Sequence, residues 1–495
     1  MIVFPKYLQN QLIALSRNQN YQKLKSIMRY TIFKRKFLPI LIGIISINQA
    51  PAQQKNIPLS INEALTLGDQ NYYLLKGRKL ESMAADQNIN VAKYSRMPTI
   101  DANYQAGIST ANNLIGVFNP SGILPISGPP SSENRFEPGT GSAAGILLNW
   151  QAVTFGERNA RINTTISEAD VQNNALQKER FQHAISIISS YLDVLLANAN
   201  LDIHQYNIKR VETNLQQSRV LANSGIKAGV DTALFQSELS KAKVEYINAH
   251  KQLEVLQWKL ARLIVIDNLP IPKDSSFLFT LPVSRLLPDN DISLHPYIKY
   301  AQSQYTLSQS KEKQIKKSYF PKLNIWGAGF ARGSAFKTDG SLDTWDGLNL
   351  NRFNYSLGLQ LTFPIMKYGE TKRQLKQQSF LSQATEENLK DVLSDLSTQQ
   401  KIANTTYNHS IEVVAQTKEQ LKSAQSAFNA MQIRYNTGLV NFSDLIQIQY
   451  TLLKSELDVK QAYWDTWKAL LLEAAVKGDM NIFINEIKFF INEIK

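Results

Sequence analysis

Side chains that commonly perform chemistry are sparse in this 495-residue sequence. Neither the H-E-x-x-H pairing of a zinc enzyme nor the G-x-S-x-G turn of a serine hydrolase occurs. The chain has no cysteine, which excludes a thiol nucleophile and disulfide bonds. The five histidines are scattered, at His183, His204, His250, His295 and His409. The sequence therefore predicts no catalytic residue, no metal site and no cofactor, and we expect that the protein is not an enzyme.

Two aspartates occupy equivalent positions just after glycine-containing turns. Asp231 ends the segment Gly225–Asp231, and Asp444 ends the segment Gly438–Asp444. A carboxylate at the start of a helix accepts hydrogen bonds from free N–H groups of the first turn, so capping is one interpretation of both residues. The other interpretation is a functional charge at a helix end, and the two roles can coexist.

The elements that position these aspartates are duplicated along the chain. Trp150–Glu157 resembles Phe363–Glu370 with an offset of 213 residues, and the two glycine-containing turns have the same offset. The spacing between the two landmarks is therefore equal in both halves. We expect rigid helices between them, because an inserted residue would rotate everything beyond it.

Strand-like alternation occurs twice in each half, near residues 99–110, 143–153, 322–332 and 353–363. It is clearest in the last of these, at Tyr355, Leu357, Leu359, Leu361 and Phe363. Short strands with an apolar outer face and a polar inner face are typical of a transmembrane β-barrel. Four strands cannot close a barrel, and open sheet edges are not tolerated in lipid. We therefore expect several chains to share one barrel.

Between the strands and the glycine turns, residues 156–222 and 369–435 contain no proline. Each stretch would form a helix of about 100 Å at about 1.5 Å per residue. Apolar residues recur at intervals of three and four, as in a coiled coil that needs a facing helix. The predicted fold is a mixed membrane protein with two internal repeats, each adding two strands to a shared barrel and a long antiparallel helix pair.

The predicted boundaries follow from these patterns. Repeat 1 covers residues 53–266 with its helix pair at 156–266, a linker covers 267–290, and repeat 2 covers 291–478 with its helix pair at 369–477. The tail, residues 479–495, has no assigned role.

The N-terminal 52 residues have the composition of an export signal. Basic residues precede an apolar run from Phe37 to Ile47 and the small-residue pattern Ala50-Pro51-Ala52, so we predict a signal peptide cleaved after Ala52. This region holds eight of the 54 Lys and Arg residues and none of the 41 Asp and Glu residues, so cleavage would lower the net charge from +13 to +5. Such a mild, scattered excess does not predict nucleic-acid binding.

These features together resemble the TolC-like outer-membrane efflux proteins from about residue 59 to Met480. The resemblance is carried by Pro98 and Pro321, the strand-to-helix junctions at Gly156 and Gly369, both glycine turns and the opening segment Leu59–Leu65. It implies a homotrimer with a twelve-stranded barrel in outer-membrane lipid and a helical tunnel in the periplasm. It also implies a periplasmic adaptor (membrane-fusion) protein and an inner-membrane pump of the RND or ABC type as partners.

The resemblance further implies roles for individual residues. Asp444 matches an acidic position at the periplasmic aperture of the family, whereas Gln447 stands where a second acid is often found. Tyr435 matches a residue that helps hold the closed state, with Asp231 as its expected partner. Because Tyr435 falls on the apolar seam of its helix, the alternative interpretation is packing alone.

Four residues at the turns, Gly225, Ile226, Gly438 and Leu439, match the tip that contacts the adaptor. The apolar side chains of Ile226 and Leu439 could instead close the turns against their own helices.

The function implied is that of an exit duct for tripartite efflux or type I secretion, which exports passively and is gated at the periplasmic helix tip. The alternative is a periplasmic coiled-coil scaffold without a membrane barrel.

Overall fold

The computed structural model describes residues 57–110, 112, 133–226, 228–273, 275–282 and 292–493. The predicted signal peptide, residues 1–52, lies outside the described residues. The elements of the first half are β1 (Ile57–Leu59), α1 (Ile61–Asn71), α2 (Tyr73–Tyr94), β2 (Thr99–Ser109), β3 (Gly139–Val153), α3 (Glu157–Asn223) and α4 (Val230–Ile264). The elements of the second half are β4 (Pro270–Pro272), α5 (Pro296–Lys317), β5 (Lys322–Ser334), β6 (Arg352–Thr362), α6 (Lys367–Asn436), α7 (Phe442–Val476) and α8 (Asn481–Glu493).

The two longest helices dominate the structure. α3 has 67 residues and α6 has 70, so each extends for about 100 Å at about 1.5 Å per residue. α3 packs along α4 and α6 packs along α7, and a further contact between α3 and α7 joins the two halves.

The contact between the halves contains buried polar groups as well as apolar ones. Arg210 of α3 donates to both carboxylate oxygens of Glu456 on α7, at 2.8 and 3.0 Å. The fully buried Asn214 donates through Nδ2 to Oε1 of Gln449, at 2.9 Å. Because buried polar groups are stable only when they find partners, these bonds fix the register of α3 against α7.

The four long strands form one antiparallel sheet in the order β2-β3-β5-β6. β2 and β6 are its edges, since each pairs with one neighbour only within the described residues. Directly opposite residues share a face of a sheet, and Ile146 lies opposite both Ala102 and Gly329, while Gly329 lies opposite Tyr355. This face is apolar from one edge of the sheet to the other.

The apolar face of the sheet is exposed in the single chain. Nine of its large side chains are more than half exposed, namely Ile100, Tyr104, Ile108, Ile146, Phe353, Tyr355, Leu357, Leu359 and Leu361. Exposure of a contiguous apolar surface of this kind to water is unfavourable, and such surfaces usually contact lipid or another protein.

Two details of the sheet differ from the sequence-based prediction. The register places Trp326 and Phe330 on the opposite face from Leu357, although they belong to the apolar positions expected in that strand. Trp326 lies over Gly358, and a Cβ atom at Gly358 would be 2.6 Å from the indole ring, so the glycine makes room for the tryptophan. β3 also begins at Gly139 rather than near residue 143, because its first residues pair with the end of β2, where Gly139 lies opposite Ser109. Thr140 N also donates to Thr344 O at 3.1 Å.

The segment predicted as a linker, residues 267–290, contains a strand. β4 pairs in parallel with β1, with Ile57 opposite Pro270 and Leu59 opposite Pro272. The hydroxyl of the buried Tyr191 donates to the Leu59 carbonyl oxygen at 2.9 Å, which attaches this small sheet to α3. Each strand has only three residues, too few for an alternation to be recognised in the sequence.

The C-terminal tail folds as α8 and belongs to the core. Phe483 is 0% and Ile487 1% exposed, and the Phe483 ring meets the Trp467 ring edge to face at 5.9 Å. The two apolar residues are four apart and therefore lie on one helix face. The tail, for which the sequence suggested no role, covers the core around α7.

Replacing Phe483 with alanine should destabilise the helical body by about 3–5 kcal/mol, because a large buried ring is lost and a cavity remains. The measurement is the free energy of unfolding by guanidinium chloride, followed by circular dichroism. Asn485→Ala, on the exposed face of the same helix, is the control. Equal stability of the two variants would show that α8 only lies against the core without supporting it.

Candidate functional site at the helix turns

The two glycine turns lie side by side at one end of the helical body. α3 and α6 are each followed, two residues after the helix ends, by a glycine with a left-handed backbone, with φ of 72° at Gly225 and 81° at Gly438. The amide of the next residue bonds back to the helix in both turns, Ile226 N to Leu221 O at 3.0 Å and Leu439 N to Arg434 O at 2.9 Å. Glycine is favoured here because it adopts positive φ without steric cost.

Apolar side chains project from this end of the molecule. Ile226 is 59% and Leu439 71% exposed, so neither side chain closes its turn against its own helices. A Cβ atom at Gly438 would lie 3.7 Å from Cγ2 of Ile226, which shows that the two turns are in contact. The tip therefore presents one small apolar patch, built from both halves of the chain.

Tyr435 and Asp231 are hydrogen-bonded to each other beneath the turns. The Tyr435 hydroxyl on α6 donates to Oδ2 of Asp231 on α4 at 3.0 Å, and the tyrosine is 0% exposed. Burial raises the pKa of Tyr435 to about 12, so the phenol keeps its proton and remains a donor at physiological pH. The ring also meets Phe235 edge to face at 5.7 Å. Packing and hydrogen bonding thus coexist at this residue.

Asp444 contributes to the start of α7 and is also exposed. Its Oδ2 accepts a hydrogen bond from the backbone N–H of Asn441 at 3.3 Å, which is half of a capping box. The second oxygen is free to face solvent, since the side chain is exposed. Gln447 is exposed three residues further along the same helix face. Asp231, by contrast, lies in the first turn of α4 and is not its N-cap residue, which is Gly229.

A second tyrosine–carboxylate bond lies further from the turns and was missed in the sequence. The Tyr450 hydroxyl on α7 donates to Oε2 of Glu238 on α4, and the Lys241 ammonium lies 4.3 Å from the centre of the Tyr450 ring. Asp231 and Glu238 are seven residues apart and hence on nearly the same side of α4. The spacing of seven residues between these two acids is the feature of the sequence that could have indicated the second bond. Two acids of α4 are thus bonded to tyrosines of the second half.

The buried histidines lie elsewhere and have structural contacts. The His183 ring stacks on Tyr72 at 3.9 Å between ring centres, and burial lowers the pKa of His183. His295 accepts a hydrogen bond from Tyr297 N at the start of α5, and its Nε2 lies 3.0 Å from Ala475 O. Within the described part of the chain, no group of three His, Cys, Asp or Glu side chains is placed to hold a metal ion.

Comparisons with known proteins agree with this geometry. The chain is 20% identical over 449 residues to outer membrane protein TolC of Escherichia coli (strain K12), covering 87% of this chain and 84% of that protein. The fold is similar to a crystal structure of CusC, with a TM-score of 0.71, 12% identity and coverage of 91% of this chain and 99% of that one. It is also similar to the CmeC outer membrane channel of Campylobacter jejuni, with a TM-score of 0.68, 14% identity and coverage of 84% and 85%.

The family model described as outer membrane efflux protein matches residues 70–264 and 287–470, which is most of the chain. The resemblance read from the sequence is thereby confirmed, and so is the expected location in the outer membrane with the helical part in the periplasm. The chain belongs to the outer membrane efflux protein family, whose members are channels rather than enzymes.

Proposed function

We propose that three copies of this chain form the outer-membrane exit duct of a tripartite efflux or type I secretion system. The copies would pool their strands into a twelve-stranded barrel and their helices into a periplasmic tunnel. Transport through such a duct is passive, so the energy comes from an inner-membrane pump of the RND or ABC type, coupled through a periplasmic adaptor.

The exposed apolar face of the sheet, together with its two edges, is the observation that carries this proposal. A membrane-embedded sheet must pair all its backbone N–H and C=O groups, which an open four-stranded sheet does not do at β2 and β6. Pairing β6 of one copy with β2 of the next would satisfy both edges and place the apolar face in lipid. A periplasmic scaffold without a barrel would leave that face in water.

The helices support the same assembly. α4 exposes Val244, Ile247 and Trp258, and α6 exposes Phe380 and Ile402, although each helix already packs along a partner within the chain. Amphipathic helices of this kind bury their second apolar stripe against another helix. In a trimer, α6 of one copy would lie beside α4 of the next.

The two tyrosine–carboxylate bonds are suited to hold the periplasmic end closed. Tyr435 joins α6 to Asp231, and Tyr450 joins α7 to Glu238, so α4 is bonded to both helices of the second half. Moving α6 and α7 away from α4 would break both bonds. The exposed Ile226 and Leu439 at the tip would contact the adaptor, and that contact would favour the open arrangement.

The proposed function is tested by the oligomeric state of the purified protein and by its conductance in lipid bilayers. The purified full-length protein should migrate as a detergent-stable trimer and should form discrete pores in planar lipid bilayers. A monomer that remains soluble without detergent and shows no conductance would contradict the proposal. Migration of unheated and heated samples in the same gel distinguishes a folded barrel from a denatured chain.

The closed pore should lose sensitivity to multivalent cations when Asp444 is replaced by asparagine. Three Asp444 carboxylates at one aperture would attract a trivalent cation, and the amide removes the charge while keeping an acceptor for the Asn441 N–H. We expect the cation concentration for half-block to rise about tenfold or more. The measurement is block of single-channel current by hexamminecobalt, with Asp458→Asn on the same helix as the control. Unchanged block would leave Asp444 as a capping residue only.

A further inference from the structure

A groove on the helical body combines an apolar lining with unpaired positive charge. It lies between α3, α6, α7 and the segment 275–282, and its cavity has a volume of about 580 Å³. This volume is in the range that binds one small organic molecule. None of the residues described above at the turns lines it.

The charges around the groove are three lysines and one glutamate. Lys418 and Lys422 come from α6, and Lys460 comes from α7. The carboxylate of Glu456 is held by Arg210, with 2.8 Å between Nη2 and Oε2. Among the described residues, no carboxylate oxygen lies within 4.0 Å of the nitrogen of any of the three lysines. The groove therefore has an excess positive charge without a protein counterion.

Lys460 is the least solvated of the three. Its ammonium lies 3.1 Å from the centre of the Phe279 ring and donates to the Leu278 carbonyl oxygen at 3.2 Å. Burial lowers the pKa of Lys460 to about 8, because the charged form is only partly compensated by these neutral partners. An anion at this position would supply the missing partner and stabilise the ammonium.

The remaining walls are aromatic and aliphatic. The cavity is lined by Tyr206 of α3, Phe279, Leu421 of α6 and Tyr463 of α7. Tyr206 and Phe279 are 63% and 62% exposed, so a large part of each of these two side chains is in contact with water. Flat or aliphatic ligand surfaces would cover these rings and be removed from water.

We propose that this groove binds a small amphipathic anion, which consists of an apolar body and a single carboxylate or sulfonate group. The anionic group would meet Lys460 at the inner end, with Lys418 and Lys422 at the rim. The apolar body would lie against Tyr206, Phe279 and Tyr463. This binding site is separate from the turns, and the inference does not depend on the gating role proposed for them.

The experiment uses the full-length protein in dodecyl maltoside with 1-pyrenebutyrate as the probe and 1-pyrenebutanol as its uncharged counterpart. Binding is read as energy transfer from tryptophan to pyrene, because Trp464 and Trp467 lie on α7 within two turns of Lys460. We expect saturable binding of pyrenebutyrate that is about tenfold or more tighter than binding of pyrenebutanol. The charge-assisted contact with the ammonium is the source of that difference.

Two variants locate the site. Lys460→Gln should weaken pyrenebutyrate binding about tenfold, and Lys422→Glu should weaken it several-fold while affecting only an exposed residue. Lys454→Gln, an exposed lysine of the same helix outside the groove, should bind as the unaltered protein does. The inference is overturned if the unaltered protein shows no saturable binding, which would mean that a neighbouring copy fills the groove. Equal affinity of the Lys460 and Lys454 variants, or of the two probes, would also overturn it.

Discussion

Replacing Tyr435 with phenylalanine is expected to convert a mostly closed pore into one that is open for a large fraction of the time. The substitution keeps the ring that packs on Phe235 and removes only the hydroxyl that donates to Asp231. A hydrogen bond to a carboxylate contributes about 1.5–3 kcal/mol. If three copies open together, the loss is about 4.5 kcal/mol or more, which shifts the ratio of open to closed states by about a thousandfold.

The measurement is the open probability and mean conductance of single pores in planar bilayers, without adaptor present. Tyr246→Phe removes a hydroxyl from a half-buried tyrosine of α4 that lies away from this contact, and its pores should behave as the unaltered ones do. Tyr450→Phe should open the pore in the same direction, and the double variant should have the larger effect. Pores of Tyr435→Phe that stay closed would mean that the tyrosine serves packing alone.

Placing a lysine at Leu357 is expected to prevent assembly in the outer membrane. Leu357 is the central residue of β6 and is 77% exposed on the apolar face of the sheet. A lysine at the middle of the lipid-facing surface costs about 2–4 kcal/mol in a β-barrel, and a trimer would carry three. The total of about 6–12 kcal/mol is comparable with the whole stability of a typical domain.

The control for this substitution lies three residues away. Gln360→Lys adds the same charge on the opposite face of β6, which would line the interior of the barrel. We expect normal amounts of heat-modifiable trimer in outer-membrane fractions for Gln360→Lys and almost none for Leu357→Lys. If both variants assembled equally, the apolar face would not be in lipid, and the proposed barrel would be wrong.

The parts of the fold that repeat over long distances could be predicted from the sequence. β6 lies where Tyr355, Leu357, Leu359 and Leu361 alternate with small or polar residues, because a period of two is visible over these four pairs of positions. α3 and α6 lie in the two stretches without proline. Proline lacks a backbone N–H and interrupts a helix, so its absence allows each helix to continue.

Features that depend on tertiary partners could not be predicted in the same way. In the sequence Trp326 is part of an apolar alternation, but the space over Gly358 on the neighbouring strand decides which face it occupies. β4 has three residues and is defined only by pairing with β1, 213 positions earlier. The bond between Tyr450 and Glu238 likewise depends on the register of two helices that are distant in the sequence.

The parallel pairing of β1 with β4 also constrains the order in which the polypeptide folds. Ile57 cannot acquire its neighbour Pro270 until more than two hundred further residues have been synthesised. Until then the backbone of β1 lacks its strand partner, and only the contacts of Leu59 with α3 can hold it. Closing so long a loop is entropically costly and is deferred until other contacts have formed. The first strand of the described chain is therefore expected to be among the last elements to acquire its strand partner.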